Sequence, residues 1–119
     1  MFVRPPLLEA DPMASKARMV WEPLSGAVTW TDTLYRMHGM RPGEDDVSFE
    51  TFLERAHPDE RDALASLLSE RLRTLEPFTV RHRIVRADGA VRLVEITGRF
   101  DADRMGNLSR FQLDATYAD

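Results

Sequence analysis

Residues 55–64, "RAHPDERDAL", bring one histidine and three carboxylates into ten positions. Those residue types could ligate a divalent metal or make an acid–base centre. A metal site needs its ligands to return on one face. Here His57 has only Glu60 or Arg61 one turn on, and no His-x-x-x-His occurs in the chain. A helix start accounts for the same residues. Pro58 suits the first helical position, where no amide hydrogen is needed, and Asp59 and Glu60 fall in the first turn, where the positive end of the helix favours carboxylates. His57 is then a packing or locally bonded residue at the helix entrance, and no metal or catalytic role is assigned to it.

His82 is the other candidate for chemistry. Phe78, Val80, His82 and Ile84 alternate with Thr79, Arg81, Arg83 and Val85, so the first four share a face that should look inward. A neutral imidazole there can hold a polar group of a ligand, satisfy a core hydrogen bond, or charge as pH falls. Trp30, Tyr35, Phe49 and Phe52 could line a pocket with it, although aromatic residues at core spacing also simply fill a core. The stretch "DADRMGNLSRFQ", residues 101–112, imitates a calcium-binding loop with Gly at its sixth place. Met105 stands where an oxygen ligand belongs and Gln112 replaces the bidentate Glu, so it reads as a hairpin loop. The chain has no cysteine, which removes disulfides, thiolate metal sites and cysteine nucleophiles. With no Gly-rich phosphate loop, nucleophile elbow or assignable Ser–His–Asp set, the chain does not read as an enzyme.

The elements that must position these residues belong to one domain, since 119 residues can bury a single core but not two. A net charge of −4 with alternating signs offers no basic stripe for nucleic acid. Residues 1–18, punctuated by Pro5, Pro6 and Pro12, read as an arm or capping helix; they resemble neither a signal peptide nor a membrane anchor, so a cytoplasmic location without membrane insertion is expected. The domain proper spans 19–117. Runs at 19–22 and 27–31, separated by Pro23 to Gly26, suggest a hairpin. A short helix follows, capped by Asp32 or Thr33 and stopped by Gly39. Ser48 caps a second helix carrying Phe49, Phe52, Leu53 and Ala56. From Pro58 to Glu76, Leu64, Leu67, Leu68, Leu72 and Leu75 recur at three- and four-residue intervals and predict a long amphipathic helix. Three strands complete the chain, 78–85, 91–100 and 108–116, the first two joined by a turn at Asp88-Gly89. The middle strand, with Val91 and Leu93 opposite Val94 and Ile96, reads as apolar on both faces, which predicts cover for the outer face by the arm or a second subunit.

Five stretches in this order resemble the PAS domain family: "VTWTD" from Val28, "GMRP" from Gly39, "FLERAHPDER" from Phe52, "RIVRADGAVR" from Arg83, and the closing Asp114-Ala115-Thr116. The branch resembled carries a His-Pro-Asp-Asp helix start. Leu93 departs from the family's frequent Trp, and Arg110 from a common Gly. The resemblance implies an α+β fold: a five-stranded antiparallel sheet in the order 2-1-5-4-3, with short helices and one long helix on one face. It further implies a sensing and dimerising module of signal transduction, bacterial and two-component in type. Such a module homodimerises, here through Leu7, Leu8 and Leu93, and passes a signal through its last strand near Asp114 and Thr116 to a fused or separate output domain such as a kinase or cyclase. Its alternative is capture of a metabolite or haem. No cofactor is evident: the family's flavin photoadduct needs a cysteine, and its haem binders use a histidine on the long helix, where residues 58–76 have none.

Overall fold

The computed structural model describes residues 16–43 and 46–119, so Leu7, Leu8 and most of the arm lie outside the described residues. The chain runs β1 (Ala17–Glu22), β2 (Ala27–Trp30), α1 (Asp32–Met37), α2 (Phe49–Glu54), α3 (Pro58–Thr74), β3 (Phe78–Val85), β4 (Val91–Ala102) and β5 (Leu108–Tyr117). The five strands form one antiparallel sheet in the order β2-β1-β5-β4-β3, as the resemblance implied. β1 begins at Ala17, so the sheet takes in the last two positions that the sequence reading gave to the arm.

One face of the sheet is the core. Met19, Trp30, Val94, Ile96, Phe111 and Leu113 are buried on it, joined by Leu34 of α1, Phe52 of α2, and Leu64 and Leu68 of α3. The period-two pattern of β3 is realised, with Phe78, His82 and Ile84 buried and Val80 half-buried. The other face is polar. Arg18 pairs with Asp114 at 2.6 Å, Arg81 with Glu95 at 3.1 Å, and Thr79 meets Thr97 at 3.2 Å. The expectation that β4 is apolar on both faces therefore holds only for its start. Beyond Val91 and Leu93, its outward positions are Glu95, Thr97, Arg99 and Asp101, which cross-strand charge pairing suits to water.

Local chemistry sets the helix ends. α1 is capped by Thr31, whose hydroxyl accepts from Leu34 N, not by the expected Asp32 or Thr33. The same hydroxyl also accepts from Arg18 N, which fastens the cap to β1. Ser48 caps α2 as read, and Thr51 returns a bond to its backbone in a reciprocal box. α3 starts with Pro58 in its first turn, and the His57 ring accepts from Asp59 N as the N-cap. It ends two residues early, because Leu75 takes a left-handed conformation at φ 62° and closes the helix instead of extending its leucine stripe. In the β3–β4 turn only Gly89 of the Asp-Gly pair takes a positive φ. The 101–112 loop is a hairpin, with the Asp103 carboxylate accepting from Met105 N and Asn107 N. Among the described residues no helix is long and apolar enough to cross a membrane.

Candidate functional site

The eight residues expected to line a pocket divide into separate groups. Phe49 and Phe78 join Trp21, Phe100 and Phe111 in a cluster at one end of the core, with Phe100 and Phe111 4.9 Å apart and the Phe78 ring occupying the space a side chain on Gly98 would need. Rings fill that end. Ile84 is buried beside Ala56, to which it is bridged. Val80 faces a groove between α3 and β3.

Trp30, Tyr35, Phe52 and His82 come together around His38, to which the sequence reading gave no site role. Its ring lies 5.1 Å from Trp30 and 6.1 Å from Phe52, and Phe52 lies 5.9 Å from His82. Tyr35 flanks Trp30 at 5.5 Å. His38 is placed by α1: four residues after Leu34, at the helix C-cap, it continues the buried face of Leu34. That i to i+4 relation was the available signal, but a six-residue helix gives periodicity little to show.

The hydrogen bonds of this cluster fix its chemistry. His38 Nδ1 lies 2.9 Å from Leu34 O, and His82 Nδ1 lies 3.1 Å from Arg83 O. Carbonyls only accept, so in both rings Nδ1 carries the hydrogen and Nε2 presents a bare lone pair. Neither Nε2 has a partner, nor does the Trp30 Nε1–H donor, and all three atoms are buried. Burial pushes the His38 imidazole down to about 4, with the nearby His82 acting in the same direction. Burial also lowers His82. Both rings are neutral at pH 7, and the interior offers two acceptors and one donor around Phe52. Unpaired buried polar groups each cost about 1–3 kcal/mol, so they mark a place where a polar guest would be stabilised.

The stretch at 55–64 does something other than chemistry. Both Glu60 oxygens are taken by Arg83, Oε1 accepting from its backbone N at 2.6 Å and Oε2 from Nε at 2.8 Å. His57 N donates to Arg83 O, and Val85 N donates to Arg55 O. This stretch thus covers the free edge of β3, a role beyond starting the helix. Among the described residues no group of three metal-ligating side chains is assembled.

The expected relay residues sit on the last strand. Asp114 holds Arg18 through two bonds of 2.6 and 2.9 Å, and Thr116 is exposed opposite Glu95. The sequence reading did not include Tyr117, which has the denser set of contacts. Its hydroxyl donates to Met37 O at 2.8 Å and accepts from Arg86 Nη1 at 2.8 Å, and Arg86 Nη1 also donates to Met37 O and Arg36 O. Ala87 N donates to His38 O. The C-terminal turn of α1 therefore holds the buried His38 on one side and the end of β5 on the other. Arg92 lies 3.7 Å over the Tyr117 ring and pairs with Asp119, which also accepts from Leu93 N. Leu93 is half-buried on the outer face.

A family model described as the PAS fold matches residues 27–113. No curated protein sequence matches the chain. Among solved structures, an RNA-binding light-oxygen-voltage receptor superposes with a TM-score of 0.75 at 22% identity over 87% of this chain, which spans only 29% of that receptor. A sensory box histidine kinase/response regulator from Burkholderia thailandensis gives 0.71 at 21% identity, over 93% of this chain and 80% of that one. The N-terminal domain of a diguanylate cyclase with a PAS/PAC sensor, from Marinobacter aquaeolei, gives 0.77 at 12% identity, over 87% and 94%. Likeness at these identities concerns the fold.

Proposed function

Because the chain belongs to the PAS fold family, we propose that it is a sensor and interaction module of a signalling system, relaying the state of its interior through the end of its last strand. The observation that carries this reading is the α1 C-terminal turn. The His38 ring is bound to Leu34 O and the Tyr117 hydroxyl to Met37 O, the carbonyl just before His38, so a change of interior state that moves this turn must break or re-aim the bonds at Met37 O. Arg18–Asp114 offers a parallel link, between the strand where the described chain enters the sheet and the strand where it leaves. The histidine kinase and cyclase domains with the same fold support an output domain of that class, joined or separate. The relay is tested by charging the interior. NMR spectra from pH 7 down to 4, where about half of the His38 rings carry a proton, should show the amides of Tyr117 to Asp119 moving with that ring. If the ring titrates while those amides stay still, the relay reading fails.

Homodimerisation through the outer face belongs to the same proposal. Leu93 and Val20 are the apolar positions framed by charge pairs there, with Leu7 and Leu8 as further contributors. Sedimentation at micromolar concentration should give a dimer that Leu93→Glu dissociates. A monomer indifferent to that change would exclude this interface.

A second reading is favoured by the unpartnered nitrogens of Trp30, His38 and His82: the domain captures a small uncharged molecule inside. With no cysteine for a flavin adduct and no histidine within α3 for haem, the guest is read as a metabolite-sized organic molecule. Native mass spectrometry of freshly purified protein should show an adduct. A single mass equal to that of the chain would count against it.

A further inference from the structure

Apart from the interior cluster, the molecule has a hollow where the chain enters and leaves the sheet. Ala17 of β1 and Ala115 of β5 are cross-strand partners, both buried, and form its floor. The next pair inward, Met19 with Leu113, is large and 0% exposed. Two alanines in the outer pair leave room under α1, whose Thr33 and Met37, one turn apart, form the roof. Tyr117 closes one side, tied by its hydroxyl to Met37 O. The enclosed volume is about 280 Å³. Its polar groups lie at the rim, where Arg18 holds both oxygens of Asp114 and Lys16 stands exposed.

We infer that this hollow is the seat of Met13, so that the arm docks within its own chain between α1 and the exit strand. Reach, size and polarity select this occupant. The residues before Lys16 leave from the rim, and Met13 lies three positions upstream, a span of up to roughly 10 Å. Between them stand only Ala14 and Ser15, so Met13 is the first large apolar side chain the hollow can meet. The walls offer methyl groups, a thioether and a ring, which reward burial of apolar surface. Methionine is unbranched and adapts to an irregular gap of this kind. Close packing is the rule inside proteins, and an apolar hollow beside an apolar side chain of the same chain is filled by it. Seated there, Met13 packs on Met37 and Tyr117, so tension on the arm is felt at the end of β5. That link is independent of whether His38 is the trigger of the relay.

Oxidation of the whole chain by dilute hydrogen peroxide, read by peptide mass spectrometry, reports the exposure of each methionine. Met105, 84% exposed, is the fast standard and Met19, 0% exposed, the slow one. Met13 should oxidise several-fold more slowly than Met105. Ala17→Leu fills the hollow from its floor and should raise Met13 to the rate of Met105, while an unchanged Met19 shows that the sheet is intact. A wild-type Met13 as fast as Met105 overturns the inference. A Met13 that stays slow in Ala17→Leu does so too, because something other than the hollow then shields it. Protection kept in Leu93→Glu supports docking within one chain, and protection lost there gives the hollow to the arm of a second copy and overturns it. Methyl-labelled wild-type protein reads the contact directly. The Met13 methyl should show NOEs to those of Ala115 and Met37, and their absence sinks the inference whatever becomes of the variants.

Discussion

A methyl group on Gly98 would stand 2.3 Å from Cε1 and 2.5 Å from Cζ of Phe78, so the ring cluster at that end of the core depends on a missing side chain. Gly98→Ala should cost about 1–3 kcal/mol by overpacking. In denaturant titrations Phe78→Leu, which withdraws the ring edge, should restore part of that loss; additive losses would show that the two residues do not meet. His38 makes a different demand, for neutrality. Its folded pKa of about 4 lies below the ordinary value of 6.5, so the unfolded chain binds a proton first. Its contribution to stability is therefore complete above pH 6.5 and declines as pH falls toward 4, by roughly 1.4 kcal/mol per pH unit per proton. His38→Phe, which keeps a ring against Trp30, should flatten the stability profile between pH 6.5 and 5; an unchanged slope would assign the proton elsewhere. At this scale the sequence was unevenly legible. His82 could be read, because strict alternation over an eight-residue strand fixes its face. His38 could be read only as lying at helical spacing from Leu34, because its burial follows from how a six-residue helix docks. Glu60 was read only as a favourable charge at a helix start, since its partner Arg83 is 23 positions away and no local pattern announces it.

Elements announced themselves where their repeat was long. Leucines at helical spacing gave α3, alternation gave β3, and Ser48 gave the start of α2. The misjudged details are those decided by contacts across the fold. Thr31, not Asp32 or Thr33, caps α1 because the same hydroxyl is also held by Arg18 N on β1. The end of α3 shifted because Leu75 adopts a conformation that its residue type does not advertise. The junction of α2 and α3 shows what such contacts achieve. Edge strands with free amides invite pairing with other chains, and here Arg55, His57 and Glu60 occupy the exposed groups of Arg83 and Val85. Glu60→Gln should cost about 1 kcal/mol and speed hydrogen exchange at the Arg83 amide in particular. The bonds to Arg83 hold the Glu60 carboxyl below its usual range. Its contribution is thus present above the ordinary carboxylate pKa and lost as pH falls through the lowered value. The gap between wild type and Glu60→Gln should therefore close in acid; a gap that persists there would mean that the ionised carboxylate is not what grips the strand.

Among the described residues the sheet has two distinct faces, and the end of β5 is tied both to α1 and to β1. The inner face carries His82 and packs against the rings and His38 supplied by the helical side, the outer face carries paired charges, and Tyr117 meets α1 at the edge of the core. Two routes could join the interior to the last strand: the hydroxyl of Tyr117 on Met37 O, or the sheet itself through Arg18 and Asp114. Tyr117→Phe separates them, because it keeps the ring under Arg92 and removes only the hydroxyl. The loss of stability should be about 1 kcal/mol, that of an ordinary hydrogen bond. The His38 ring should still titrate as in the wild type, while the amides of Ala118 and Asp119 cease to follow it. If they follow undiminished, the hydroxyl is a structural tie and the coupling runs through the sheet. In that case Asp114→Asn, which weakens the grip on Arg18 but leaves α1 untouched, should be the substitution that silences them.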